Sequence, residues 1–241
     1  MVGCGRSGTS LAAGMLAETG YDPGRDVLAP DRGGPTGFFE SRDVNRINER
    51  LLAPHDAGFL HTGGYSRPLR DGERWLAVLP ADRETGRAPA ELRAAMRTAR
   101  PSSPYCCKDP RFAYTLPSWR PLFAGALFMC VFRHPLATAR SIAGAVRYGD
   151  LSVSADAALE LWKAVYARVL GRHRHDADWV FVHYEQLLDG SAVPRLCDAL
   201  GATLDSGLAK RELYRHAPDG APPPGSEEIY SELCALAGHA Q

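Results

Sequence analysis

The sequence is poor in lysine, in net charge and in long apolar runs. Among 241 residues, Lys+Arg total 28, yet only Lys108, Lys163 and Lys210 are lysines and the other 25 are arginines. Asp+Glu also total 28, so the formal net charge is zero. That balance excludes a broad electrostatic grip on nucleic acid or on an anionic membrane, which needs a basic excess. The longest apolar run, Leu122 to Phe132, is eleven residues and too short to span a bilayer. No basic stretch followed by an apolar one opens the chain, so no signal peptide is expected. The six cysteines show no C-x-x-C spacing, which predicts buried, reduced thiols in a cytoplasmic protein. The 45% apolar content suffices for one core and a single domain over 1–241. Arginine excess beside abundant Ala, Gly and Pro fits a GC-rich genome, but guanidinium is also the better fork for oxyanions.

Hydrophobic patterning predicts short buried strands at 1–4, 105–108, 127–132 and 179–182. Helices are expected over about 8–19, 41–52, 90–100, 135–148 and 191–200, with others starting at Ser154 and Ser226. Pro135 suits a first helical position, Ser154 an N-cap, and Gly20 and Gly201 helix stops. The Gly/Pro/Asp-rich stretch 21–39 reads as a surface loop, and 53–104 as an insertion or cap. This order predicts an α/β fold with a central parallel sheet flanked by helices, whose ligands belong at the C-terminal ends of the strands.

Three unusual clusters fall at such ends. In Gly3-Cys4-Gly5-Arg6-Ser7-Gly8-Thr9-Ser10, a strand-to-helix turn points consecutive amides and a helix N-terminus at one spot, an anion site. The spacing from Gly3 to Gly8 fits G-x-x-x-x-G-K-[ST], but Thr9 stands in place of the lysine. In Phe132-Arg133-His134-Pro135, continuing to Ser141, a strand-end guanidinium and a helix serine can grip a second phosphate. Arg133 also stands where a nucleotide triphosphatase would carry a magnesium-binding acid. Cys107-Lys108-Asp109-Pro110-Arg111 places one of the three lysines at a third strand end, with Arg111 and Asp109 readable as a surface ion pair.

At these clusters the chain resembles the sulfotransferases that use 3′-phosphoadenosine-5′-phosphosulfate (PAPS), with a pattern closer to bacterial, carbohydrate-type or tyrosyl-protein-type members. The resemblance runs from residue 3 to about 200 and implies a P-loop-like three-layer fold, a PAPS donor leaving as 3′-phosphoadenosine-5′-phosphate, and no metal. It implies donor contacts from Gly5, Arg6, Ser7, Gly8, Thr9 and Ser10 on the 5′ side. Arg133 and Ser141 would hold the 3′-phosphate, and Tyr184, in His183-Tyr184-Glu185-Gln186-Leu187-Leu188, would lie near the adenine. Two family features are missing: Pro110 replaces the histidine that many cytosolic members carry, and no C-terminal R-K-G motif is present, leaving Arg211 or Arg215 as substitutes.

Sulfuryl transfer needs a base for the acceptor hydroxyl, cations on the sulfonate and stabilisation of the leaving oxygen. Arg6 and Lys108 are the candidate cations and Glu40 the candidate base, with Asp109 and His61 in reserve; Glu40 could equally serve only its helix N-terminus. His173 and His175 read as solvated, His134 as a donor contact or a packed residue. Tyr65 and Trp75 could line a pocket for a small-molecule or glycan acceptor. A small-molecule kinase with a degenerate loop and a non-catalytic nucleotide-binding module stand as rival readings.

Overall fold

The structure is a computed structural model that describes residues 1–30, 37–55, 64–83, 85–146, 150–204 and 220–240. His61, Tyr148, Arg211 and Arg215 lie outside the described residues. The chain forms a mixed α/β fold in the order α1 (Thr9–Glu18), α2 (Arg42–Leu52), α3 (Ala90–Ala99), α4 (Phe112–Trp119), β1 (Phe128–Phe132) and α5 (Pro135–Val146). There follow α6 (Ala155–Arg168), extended by a π turn over Val169–His173, then β2 (Trp179–His183), α7 (Tyr184–Leu188), α8 (Val193–Leu200) and α9 (Glu227–Ala237). No helix among the described residues is long and apolar enough to cross a membrane.

β1 and β2 pair in parallel, in register from Phe128 with Trp179 to Phe132 with His183. On the other side of β1 lies the N-terminal segment, where Val2 takes part in a parallel bridge to Cys130. Its N–H donates to the Met129 carbonyl at 2.8 Å and its carbonyl accepts from Val131 N–H at 3.0 Å. The Met1 nitrogen in turn reaches the Cys107 carbonyl at 2.7 Å. The strands expected at 1–4 and 105–108 are therefore extended neighbours rather than full strands. The first makes one bridge at Val2, and the second bridges only from Tyr105 to Asp22. All four segments nonetheless end on the same side, which brings Gly3, Lys108, Arg133 and Tyr184 to one rim.

β1 is buried on both faces, and its side chains alternate between two core clusters. Phe128, Cys130 and Phe132 join the larger cluster with α2, α3, α4, α6 and α9; Met129 and Val131 join the smaller one with α1 and Leu196 of α8. Such two-sided cover explains a continuous apolar strand, F-M-C-V-F, in place of a polar alternation. The described part of 53–104 is built into the larger cluster through Leu76, Leu79, Leu92 and Met96. Arg168 fastens it: the guanidinium, at the C-terminal end of α6, donates to the carbonyls of Arg83 and Pro80, each at 2.7 Å.

Helix α4, which contains Pro117, is not among the helices expected from the sequence. Proline has no N–H for the carbonyl four residues back. That carbonyl, on Ala113, lies 2.9 Å from His173 Nε2, which supplies the missing partner. His173 is thus buried rather than solvated, whereas His175 is exposed. Burial holds the His173 pKa below its ordinary value, so the ring stays neutral.

Candidate active site

The glycine turn is shaped by its neighbours on all sides. Gly3, Gly5 and Gly8 are each positions where a side chain has no room. A Cβ at Gly3 would sit 2.3 Å from the Val131 carbonyl oxygen, and one at Gly5 would sit 2.7 Å from the Trp75 ring. Gly8 adopts φ 93° as the N-cap of α1, and a Cβ there would lie 2.4 Å from the Tyr184 ring. Gly8 supplies no side-chain cap, so among the described residues no cap side chain takes up the first-turn amides of α1, the groups that an anion at a helix N-terminus accepts from. The start of the turn is anchored by Tyr166, whose buried hydroxyl accepts from Cys4 N–H at 3.2 Å and donates to the Val131 carbonyl at 2.8 Å. Burial raises this phenol well above its ordinary pKa, which keeps it a donor.

The loop side chains alternate. Ser7 and Thr9 are buried, so they offer the rim their amides and not their hydroxyls; Ser7 Oγ instead meets Thr138 Oγ1 of α5 at 3.4 Å. Arg6, Gly8 and Ser10 are partly exposed. Arg6 Nε donates to Ser141 Oγ at 3.3 Å, so the loop cation reaches across to the second cluster. In that cluster Arg133 is buried, its guanidinium carbon 4.6 Å from the centre of the Tyr184 ring. Trp162 Nε1 donates to the Arg133 carbonyl at 3.1 Å and holds the strand end in place. His134 is buried against Tyr230, with ring centres 5.1 Å apart, and burial lowers its pKa.

Lys108 and Glu40 meet. The Lys108 ammonium forms an ion pair with Glu40 Oε1 and also donates to Ser10 Oγ at 3.2 Å and to the Phe38 carbonyl at 3.3 Å. Both charged side chains are buried. The second Glu40 oxygen accepts from Asn45 Nδ2 at 3.0 Å. Glu40 precedes the N-cap of α2 and Asn45 lies in its first turns, so the helix that positions the acid also carries its partner. Asn45 was not singled out from the sequence.

Asp109 and Arg111 form a buried structural pair rather than a surface one. Arg111 Nη1 lies 3.1 Å from Asp109 Oδ1, and Arg111 also contacts Glu49 Oε1 at 2.7 Å. Glu49 also takes Arg74 at 2.6 Å. Burial alone would lower the Arg111 pKa, but Asp109 and Glu49 outweigh it and raise the value. Asp109 Oδ1 is committed to Arg111, whereas Oδ2 is buried with no hydrogen-bond partner among the described residues. His183 is also structural: its Nδ1 caps α7 by accepting from Glu185 N–H at 3.3 Å, and its Nε2 lies 3.2 Å from the Tyr230 hydroxyl.

Strand-end amides, the cations Arg6, Lys108 and Arg133 and the buried Glu40 carboxylate thus lie at the strand-end rim of a mixed α/β fold. A more particular assignment follows from comparison with known proteins. The model of the sulfotransferase family matches residues 1–206, and the chain belongs to that family and is a transferase by membership. The sulfotransferase domain of the olefin synthase of Synechococcus PCC 7002 has a similar fold. It matches with a TM-score of 0.50 and 17% identity over 100% of this chain and 94% of that one. No curated protein matches the chain.

Proposed function

We propose that this protein transfers a sulfuryl group from PAPS to the hydroxyl of a small-molecule or glycan acceptor, without a metal, on a P-loop-like three-layer fold. The observation that carries the reading is the junction of Ser10, Lys108 and Glu40 at the uncapped N-terminus of α1. It sets a cation, a hydroxyl, a helix dipole and a carboxylate around one point. The donor fits the remaining residues: amides of residues 7–10 for the 5′ group, Arg133 and Ser141 for the 3′-phosphate, and Tyr184 beside the base. Arg133, not an acid, ends β1, which favours charge neutralisation by side chains over a bound metal. The free, mostly buried cysteines favour a cytoplasmic enzyme, the resemblance favours a bacterial one, and the neutral composition argues against a nucleic-acid partner.

In the reaction the acceptor oxygen forms the new O–S bond as the bond from sulfur to the 5′-phosphate oxygen breaks. Glu40 takes the hydroxyl proton, and 3′-phosphoadenosine-5′-phosphate leaves with the electron pair. Lys108, resting on Glu40, Ser10 and Phe38, turns its N–H groups to the sulfonate and the leaving oxygen. That move also frees the Glu40 oxygen that the acceptor needs. Asn45 keeps the carboxylate in place while its ammonium partner is engaged elsewhere. Trp75, packed on Gly5, makes the described part of 53–104 an acceptor-side wall.

Thermal shift with the bisphosphate product, with ATP and magnesium, and with buffer tests the donor. Stabilisation by the bisphosphate is expected; stabilisation by ATP with magnesium alone would make this a kinase and refute the reading. Glu40→Gln should lower turnover by about 10²–10⁴-fold while leaving bisphosphate affinity nearly intact. Normal turnover in that variant removes Glu40 as base, and bisphosphate binding without turnover in the wild type would indicate a binding module.

A further inference from the structure

The loop divides its side chains between two directions. Ser10 faces Lys108 and Glu40, whereas Arg6 and Ser7 are tied to α5 through Ser141 and Thr138. Thr138 and Ser141 are three residues apart on a helix and share a face, so the two tethers are neighbours. Arg6 holds φ 71°, a left-handed conformation that costs a non-glycine residue about 1–2 kcal/mol. Surroundings must over-determine such a residue for it to persist, and it marks the point where the chain aims a side chain for a purpose. The guanidinium it aims lies on the serine that the PAPS reading gives to the 3′-phosphate.

We infer that Arg6 is a specificity-determining residue for the 3′-phosphate of the donor and joins Arg133 and Ser141 in that subsite, instead of acting on the sulfuryl group. The inference rests on the PAPS reading above. It gives the 3′-phosphate a second guanidinium from within the described residues, where the family's C-terminal basic motif is lacking. The Nε contact sets the Arg6 guanidinium beside Ser141, and a guanidinium is the side chain whose planar fork suits a phosphate edge. The 5′ side then relies on amides, Ser10 and Lys108.

Titration calorimetry of adenosine 3′,5′-bisphosphate and adenosine 5′-monophosphate tests this on the full chain. Arg6→Ala should weaken the bisphosphate by about 10–100-fold, the loss expected for a charged hydrogen-bonding partner, and leave the monophosphate within about twofold. Arg6→Gly is the second variant: glycine adopts φ 71° without strain, so it stays folded and should show the same selective loss. Equal weakening of both ligands would assign Arg6 to the 5′ side and overturn the inference, as would retained bisphosphate preference in both variants. A wild type that binds neither ligand but does bind ATP with magnesium fails at the donor reading, and is told apart because it needs no variant.

Discussion

Replacing Gly8 by alanine separates backbone strain from steric collision, because the chain contains its own control. Gly8 and Gly20 share φ 93°, but a Cβ at Gly20 meets nothing within 4 Å, whereas one at Gly8 would lie 2.4, 3.1 and 3.3 Å from three atoms of the Tyr184 ring. Gly20→Ala should therefore cost only the left-handed backbone term, about 1–2 kcal/mol. Gly8→Ala bears that cost and must also move an aromatic ring that is buried under Arg133. Carbon atoms rest at about 3.5–4.0 Å, so the ring has to retreat by more than an ångström. Overpacking of this kind costs a further 1–3 kcal/mol or so. Loss of the stacked guanidinium adds about 0.5–1 kcal/mol. Urea unfolding should place Gly8→Ala about 1.5–4 kcal/mol below Gly20→Ala. Adding Tyr184→Ala should remove most of that difference, since the collision then has no partner. Equal destabilisation at the two glycines would refute the packing of Tyr184 on the turn, and with it the placement of the ring beside the donor.

Other consequences are open to measurement. Arg111→Met strands the buried Asp109 charge while Glu49 keeps Arg74, and should cost about 3–5 kcal/mol in chemical unfolding; a cost under about 1 kcal/mol would mean the pair is solvated. His173→Ala removes the partner of the Ala113 carbonyl and should cost about 1–3 kcal/mol. Adding Pro117→Ala returns an N–H to that carbonyl, so the double variant should be more stable than His173→Ala alone. His183 is held down to about 2, by burial first and by His239 next. Unfolded, it titrates near 6.5, so below that pH the unfolded chain takes up a proton that the folded one refuses. Stability should fall by up to about 1.4 kcal/mol per pH unit through this residue as pH drops from 6.5. His183→Asn, which can still cap α7, should flatten the slope between pH 6.5 and 4.5, and an unchanged slope would show that His183 is protonated in the fold.

What was legible in the sequence was local. β1 and β2, Pro135 at the start of α5, Ser154 capping α6 and Gly201 ending α8 all rest on signals within a few residues, and each is found where expected. Signals that depend on distant partners failed. A proline argues against a helix over 112–119, and the residue that permits it, His173, lies 60 positions on. The segment at 105–108 has the composition of a strand, but its neighbours supply one bridge and not a ladder. In the candidate site, Arg6, Lys108, Glu40 and Arg133 are each singled out by spacing or by resemblance. Their pairing was not: Glu40 and Lys108 are 68 residues apart, Arg6 and Ser141 135. Spacing shows which groups a loop carries; only packing decides which way each side chain turns.

The packing of Trp75 against Gly5 gives the protein a built-in optical probe. Trp119 and Trp162 are sealed in the core, and Trp179 sits at the opposite end of β2 from the rim. Trp75 is half-buried and packs on Gly5 of the glycine turn. If the proposed donor fills the turn, emission from one indole in four should change, and excitation of tryptophan alone would report it in unlabelled protein.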